Sequence, residues 1–109
     1  MKQKKEKEIQ KEIKDYLLWL DHYVLVTNNV GVMKPNGSRI PSNTPGMSDI
    51  LGVHKDDGGF IAIEVKTPKG KTTENQKEFL REIRKRHGYA FVATSIQDVE
   101  KALNDQRFG

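Results

Sequence analysis

Cysteine is absent from the 109 residues, which excludes disulfides and thiolate metal sites and fits a reducing compartment. Long apolar runs are absent too, and none approaches the roughly 20 residues needed to span a bilayer. The lysine-rich start lacks the apolar core of a secretory signal, so a soluble intracellular protein is expected. No internal repeat is present. His22, His54 and His87 are scattered and belong to no Cys/His zinc set, so each reads as a core-edge or surface residue. Proline is scarce, and three of the four prolines fall between Gly31 and Gly46.

Charge and clustered apolar residues are what the chain does have. Apolar residues make up 35% and charged ones 31%, and the apolar ones are periodic, so one folded domain over 1–109 is expected rather than disorder. The formal charge is +4, with six lysines between Lys2 and Lys14 and a second basic cluster in "REIRKRH", Arg81 to His87. That balance favours a polyanionic partner, above all nucleic acid; the other reading is a solvated helix face kept soluble by lysine.

Residues 3–21 carry the helical stripe Ile9, Ile13, Tyr16, Leu17 and Leu20. "YVLVTN" (23–28), "SDILGV" (48–53), "FIAIEVK" (60–66) and "YAFVAT" (89–94) read as strands. The Gly31–Gly46 excursion, with Pro-Asn-Gly at 35–37, is a loose hairpin or a long loop. "HKDDGG" is turn chemistry and pairs the second and third strands antiparallel. A helix follows from Glu74 to His87, with Gln76, Phe79, Leu80 and Ile83 inward and Gly88 as its stop. Ser95 caps a last helix whose inner face is Ile96, Val99 and Leu103. The order α-β-β-β-α-β-α predicts an α/β fold with a central sheet flanked by helices.

Strand cores rarely hold ionisable groups, yet Glu64 and Lys66 close the third strand and Asp49 opens the second. In extended chain Phe60, Ala62, Glu64 and Lys66 share a face, while Ile61, Ile63 and Val65 share the other. Antiparallel pairing brings Asp49 beside Glu64 and Lys66 at one sheet edge. Two carboxylates in a low-dielectric site repel, so one is protonated or a cation lies between them. With no cysteine the ligands are oxygens, which suits Mg²⁺ or Mn²⁺, and the lysine suits phosphodiester hydrolysis. The plainer reading makes Glu64 and Lys66 solubilising strand-end charges and Asp49 a turn cap.

Two helices bear on the choice. Glu6 falls about 30° from the centre of the first helix's apolar stripe and Glu8 about 130° away, so Glu6 extends the inner face and Glu8 meets solvent. Glu6 then joins the two carboxylates, unless the first turn frays and leaves it in water. Gln10 lies at the edge of the same face. Gln76 is on the inner face of its helix, and Thr73-x-x-Gln76 also matches a capping box. The two roles are compatible, because a capped N-terminus attracts phosphate.

"SD…IEVK" after a helical glutamate resembles the PD-(D/E)XK nuclease pattern. The fuller set, "E-x-x-x-Q", "PGMSD", "IAIEVK" and "TENQKEFL", is similar over nearly the whole chain to the VRR-NUC (virus-type replication-repair nuclease) family. The resemblance implies a restriction-endonuclease-like fold with a mixed central sheet. It implies that Glu6, Asp49, Glu64 and the Val65 carbonyl hold Mg²⁺ or Mn²⁺. Lys66 becomes the catalytic lysine, Gln76 a further catalytic group, and Gln10 and Ser48 supporting groups. Members often carry an arginine where this chain has Thr27 in "VTNN", so the resemblance does not carry over any phosphate contact made by that arginine. Lys34, Arg39, Lys69 and Lys71 are candidate DNA contacts.

Stand-alone members of that family resemble viral and prophage proteins that act as homodimers on branched DNA, four-way junctions included. The expectation is a metal-dependent endonuclease of that kind in a bacterial cytoplasm. The alternatives are a flap or single-strand nuclease, a catalytically silent DNA-binding module, and a structural protein whose basic clusters are incidental.

Overall fold

The structure, a computed structural model, describes residues 4–25, 32–33, 39–40 and 45–105, with the backbone alone for 32–33 and 39–40. Helix α1 (Glu6–Trp19) forms where Ile9, Ile13 and Leu17 recur every fourth position, and all three are buried on one face. It ends in a Schellman turn: the His22 N–H donates to the Leu17 carbonyl and the Asp21 N–H to that of Leu18. Asp21 takes the left-handed φ of 73° that this turn needs, a conformation aspartate tolerates better than most residues.

Strand β1 (Tyr23–Leu25) follows, and residues 26–28 of the expected strand lie outside the described residues. β2 (Val32–Met33) and β3 (Arg39–Ile40) pair antiparallel as a separate two-stranded ribbon, so the excursion contains a hairpin. β4 (Ile50–Val53) and β5 (Phe60–Val65) pair antiparallel across the Asp-Asp-Gly-Gly turn, with Ile50 opposite Ile63 and Val53 opposite Phe60. Parallel neighbours need a crossover, and α2 (Glu74–Lys85) supplies it between β5 and β6 (Tyr89–Ala93). α3 (Ile96–Asp105) ends the described chain. The main sheet has the order β1-β4-β5-β6, antiparallel except for the last pair, and is therefore mixed.

The alternation of β5 sends its residues into two cores. Ile61, Ile63 and Val65 pack with Ile9, Ile13 and Leu17 of α1 and Val99 of α3. Ala62 packs with Leu80 of α2 and Ala90 of β6, edged by Leu51, Phe60, Phe79 and Ile83. Helices thus cover both faces, and the α2 side is lined by small residues that let the helix sit close. No described helix is long and apolar enough to cross a membrane.

The stop of α2 differs from the sequence expectation. His87, with φ 69°, takes the left-handed position, and the Gly88 N–H closes the turn onto the Ile83 carbonyl at 2.9 Å. Gly88 is needed for room: a Cβ there would stand 2.5 Å from Ile83 Cγ2 and 3.0 Å from the Phe60 carbonyl oxygen.

Gly46 is constrained more tightly. Its φ is 75°, and an added Cβ would lie 2.2 Å from the Asn75 carbonyl group and 2.5 Å from the Gln76 nitrogen. The Pro-Gly turn before β4 is therefore pressed against the first turn of α2. Gly46→Ala should destabilise the protein by about 2 kcal/mol or more, combining a left-handed penalty with displacement of backbone. Gly58, at φ 71° with nothing within 4 Å of its would-be Cβ, should lose only about 1 kcal/mol on the same change. Urea unfolding of the two variants checks the difference; equal losses would contradict the close approach to α2.

Candidate active site

The register of β4 and β5 places Asp49, just before Ile50, beside Glu64, just after Ile63. Asp49 Oδ2 accepts the Val65 backbone N–H at 2.9 Å, which ties the aspartate to the strand carrying Glu64. Glu64 is 1% exposed. Its Oε1 accepts a hydrogen bond from Gln76 Nε2 at 2.8 Å and lies 3.6 Å from Lys66 Nζ. The ion pair is nearly buried, with side chains 14% exposed for Lys66 and 2% for Glu64. Glu64 Oε2 and the Ser48 hydroxyl are the buried side-chain polar atoms, among the described residues, that lack a hydrogen-bond partner. Both belong to this one cluster.

Burial pushes the Glu64 carboxyl up to about 7, the negative charge of Asp49 adds to the rise, and the Lys66 ammonium opposes it. Even with Lys66 beside it, the buried glutamate therefore holds its proton close to neutral pH. A buried carboxyl held beside a second carboxylate is a costly arrangement in a core, and a functional site is the usual reason such a cost persists.

The donor set fits a hard divalent cation. Asp49 and Glu64 supply carboxylate oxygens, and Mg²⁺ is commonly held by only one or two carboxylates with water completing its shell. Among the described residues no three His, Asp or Glu side chains are gathered closely enough to hold a metal. Glu6 is accordingly not assembled with Asp49 and Glu64. It occupies the first residue of α1 and is exposed, as Glu8 is. The apolar stripe begins only at Ile9, so no earlier turn exists to press Glu6 inward, and the expected contrast between Glu6 and Glu8 is absent. Gln10, one turn along, is half-buried.

Gln76 fills both roles read for it. The Thr73 hydroxyl accepts the Gln76 N–H at 3.1 Å, and Gln76 Oε1 accepts the Thr73 N–H at 2.8 Å, completing the capping box. Its amide nitrogen donates to Glu64 Oε1. Lys69 and Lys71 are exposed just beyond β5. Lys34 lies outside the described residues, as does Thr27, and the side chain of Arg39 does too. In the expected basic cluster Arg81 pairs with Glu78 and Arg86, the residue after α2, with Glu82, and Lys77 of the same helix pairs with Glu74. An open cavity of about 440 Å³ lies at the same end of the sheet, lined by Ile9, Pro68, Thr94 and Ile96 with Lys4 and Glu12 at its side.

At the opposite end of the sheet the structure joins residues that sequence separation concealed. The rings of His22 and His54 are 4.4 Å apart, and His54 stacks on Tyr89 at 4.7 Å. Each imidazole accepts a backbone N–H of the β4–β5 turn through Nδ1, His22 from Lys55 and His54 from Asp56. His22 is buried at the core edge, as expected, and burial together with the neighbouring His54 holds its basicity below the usual histidine range. The spacing of 32 positions gave no signal of the pair.

The family model described as "VRR-NUC domain" matches residues 4–97. A solved structure described as "VRR_NUC domain" shares 24% identity at a TM-score of 0.62, covering 92% of this chain and 95% of that one. That likeness carries the fold, which is α/β and restriction-endonuclease-like. No curated protein matches.

Replacing Glu64 by Gln removes its titration while keeping its shape. In the metal-free protein a glutamate raised from 4.5 to about 7 on folding favours the folded state below about pH 4.5, and that contribution fades as pH rises through about 7. Glu64→Gln should therefore gain stability relative to wild type across that window and be the more stable protein at pH 8. Thermal denaturation in chelator at several pH values measures it. A constant difference between the two proteins from pH 4.5 to 8 would mean that Glu64 titrates normally.

Proposed function

The chain belongs to the VRR-NUC family, a nuclease-type domain whose partner is DNA, and from that premise we propose that it is a Mg²⁺- or Mn²⁺-dependent endonuclease of branched DNA. The observation that carries the proposal is Glu64: a buried carboxylate with one unpartnered oxygen, beside Asp49 and 3.6 Å from the Lys66 ammonium. A binding-only surface has no use for carboxylates facing phosphates, whereas a hydrolytic site has.

Asp49, Glu64 and the Val65 carbonyl are the groups that would hold the cation. When bound, it supplies positive charge against a phosphoryl oxygen and acidifies its own water. The residues of the chain do the rest. Lys66 is the one ammonium in the cluster, and its place beside Glu64 suits it to orient the attacking water and to stabilise negative charge on the phosphate. Gln76 holds Glu64 in position by a neutral hydrogen bond that adds no competing charge. Exposed Lys69 and Lys71, on the segment leaving β5, are suited to backbone phosphates.

Cutting a four-way junction on opposed strands needs two sites, and the described residues contain one such constellation. The second site is therefore supplied by a second copy, in an isologous homodimer with both sites on one face. The Gly31–Gly46 excursion, which carries Lys34 in its sequence and contains the β2–β3 ribbon with Arg39 at the start of its second strand, is the segment proposed to reach DNA or the partner subunit. A second reading, a silent DNA-binding module, draws on Glu6 standing exposed and away from the two carboxylates.

The deciding experiment is cleavage of duplex, flap, single-stranded and four-way junction DNA with and without Mg²⁺ or Mn²⁺. Junction cutting should require metal, and Lys66→Ala and Asp49→Ala should each lower it by about 10²–10³-fold or more while leaving the thermal transition intact. Binding of uncut junction should weaken steeply with salt. A folded Lys66→Ala variant that cuts at wild-type rate overturns the site, and wild-type protein that binds without cutting makes the module reading correct. Sedimentation at working concentration separates the dimer from a monomer that nicks flaps or single strands.

A further inference from the structure

Gln76 has one amide and two partners of opposite polarity. Its oxygen accepts the Thr73 N–H at 2.8 Å, and its nitrogen donates to Glu64 Oε1 at the same distance. Flipping the amide would set its oxygen against the carboxylate and its NH₂ against the Thr73 N–H, two repulsive contacts in place of two favourable ones. The Thr73 hydroxyl meanwhile accepts the Gln76 backbone N–H at 3.1 Å, which fixes the backbone from which the side chain extends. Thr73 itself is exposed. On its own it is an ordinary helix cap.

We propose that Thr73 is a positioning residue for Glu64, acting through Gln76: it locks the amide so that only N–H can face the carboxylate. Glu64 Oε1 is thereby committed to Gln76 and Lys66, and Oε2 is the oxygen left for a ligand. The lock stands on hydrogen-bond geometry alone; its consequence for a cation rests on the nuclease reading above. Gly46 supports the same lock from outside, because the Pro-Gly turn abuts the Asn75–Gln76 peptide and blocks the first turn of α2 from drifting away from β5.

α3 offers an internal control. Its cap uses the Ser95 hydroxyl, which accepts the Asp98 N–H at 3.2 Å, and Asp98, which accepts from both the Thr94 N–H and hydroxyl. Removing that cap loosens a helix end as removing Thr73 does, but it breaks no bond to Gln76 or Glu64.

The test compares Thr73→Ser, Thr73→Ala, Thr73→Pro and Ser95→Ala by two readouts on the intact chain. The first is the Gln76 side-chain NH₂ signal in ¹⁵N-edited NMR without metal. The second is Mn²⁺ affinity by calorimetry. Proline suits the series because Thr73 has φ −79° and proline deletes both halves of the cap. Wild type and Thr73→Ser should show a well-resolved, slowly exchanging Gln76 NH₂ pair. Thr73→Ala, which removes the hydroxyl and keeps the N–H that fixes the amide, should speed the exchange moderately, and Thr73→Pro, which removes both, should speed it further and weaken Mn²⁺ binding roughly tenfold, within the range of outer-shell substitutions. Ser95→Ala should change neither. Unaltered Gln76 signals in both Thr73→Ala and Thr73→Pro would overturn the lock, and so would an equal loss of Mn²⁺ affinity in Ser95→Ala. Wild-type protein that binds no Mn²⁺ would sink the nuclease reading, and the NMR readout would still decide the lock.

Discussion

Glu64 sits 1% exposed beside Asp49, and two carboxylates sharing a dry site cannot both carry charge unless something positive compensates. Lys66 compensates in part, at 3.6 Å from one oxygen of Glu64, and the other oxygen has no partner. The surrounding structure serves to keep this unfavourable arrangement in place. The β4–β5 register sets Asp49 against Glu64, the Val65 N–H anchors Asp49 at 2.9 Å, and α2 delivers Gln76 from above. Each of these is a backbone-level constraint, so the cluster cannot relax by simple rotation of one side chain.

The close seat of α2 follows from small residues on the sheet face beneath it. Ala62 and Ala90 leave room for Leu80, and Gly46 lets the Pro-Gly turn touch the peptide between Asn75 and Gln76. The opposite face has no such requirement and is filled with isoleucine, valine and leucine against α1 and α3. Stability therefore comes chiefly from the α1–α3 side, while the α2 side gives up apolar volume to bring a helix cap within reach of a carboxylate. A nuclease-type domain of this size has few other ways to hold a polar cluster rigidly, since rigid elements position functional groups better than loops do.

How much of this could be read from the sequence depended on the range of the interaction. The pairing of β4 with β5 was legible because Asp-Asp-Gly-Gly joins two alternating runs, and alternation then put Asp49, Glu64 and Lys66 together. Gln76 was legible twice, as a cap partner of Thr73 three residues away and as an inward helix position. The phase of α1 was legible for Ile9, Ile13 and Leu17 but misleading for Glu6, because periodicity says which face a residue would occupy and not where the helix starts. The stop of α2 was misplaced by one residue: glycine is the usual left-handed residue, yet His87 takes that conformation because Gly88 is required for its missing Cβ. The contact between the His22 and His54 rings left no local trace at all, being made by tertiary packing.

A direct measurement of the buried charge asks whether a cation displaces the Glu64 proton. Glu64 is raised to about 7, so at pH 6.5 it is largely protonated in the free protein and must lose its proton to act as a ligand. Calorimetric titration of Mn²⁺ into the protein at pH 6.5, repeated in buffers of different ionisation enthalpy, counts the protons released. Wild type should release a substantial fraction of one proton per bound ion, falling towards zero by pH 8.5, and Glu64→Gln should release none attributable to that position. Mn²⁺ binding with no proton release at pH 6.5, equal in wild type and Glu64→Gln, would contradict a cation site built on Glu64.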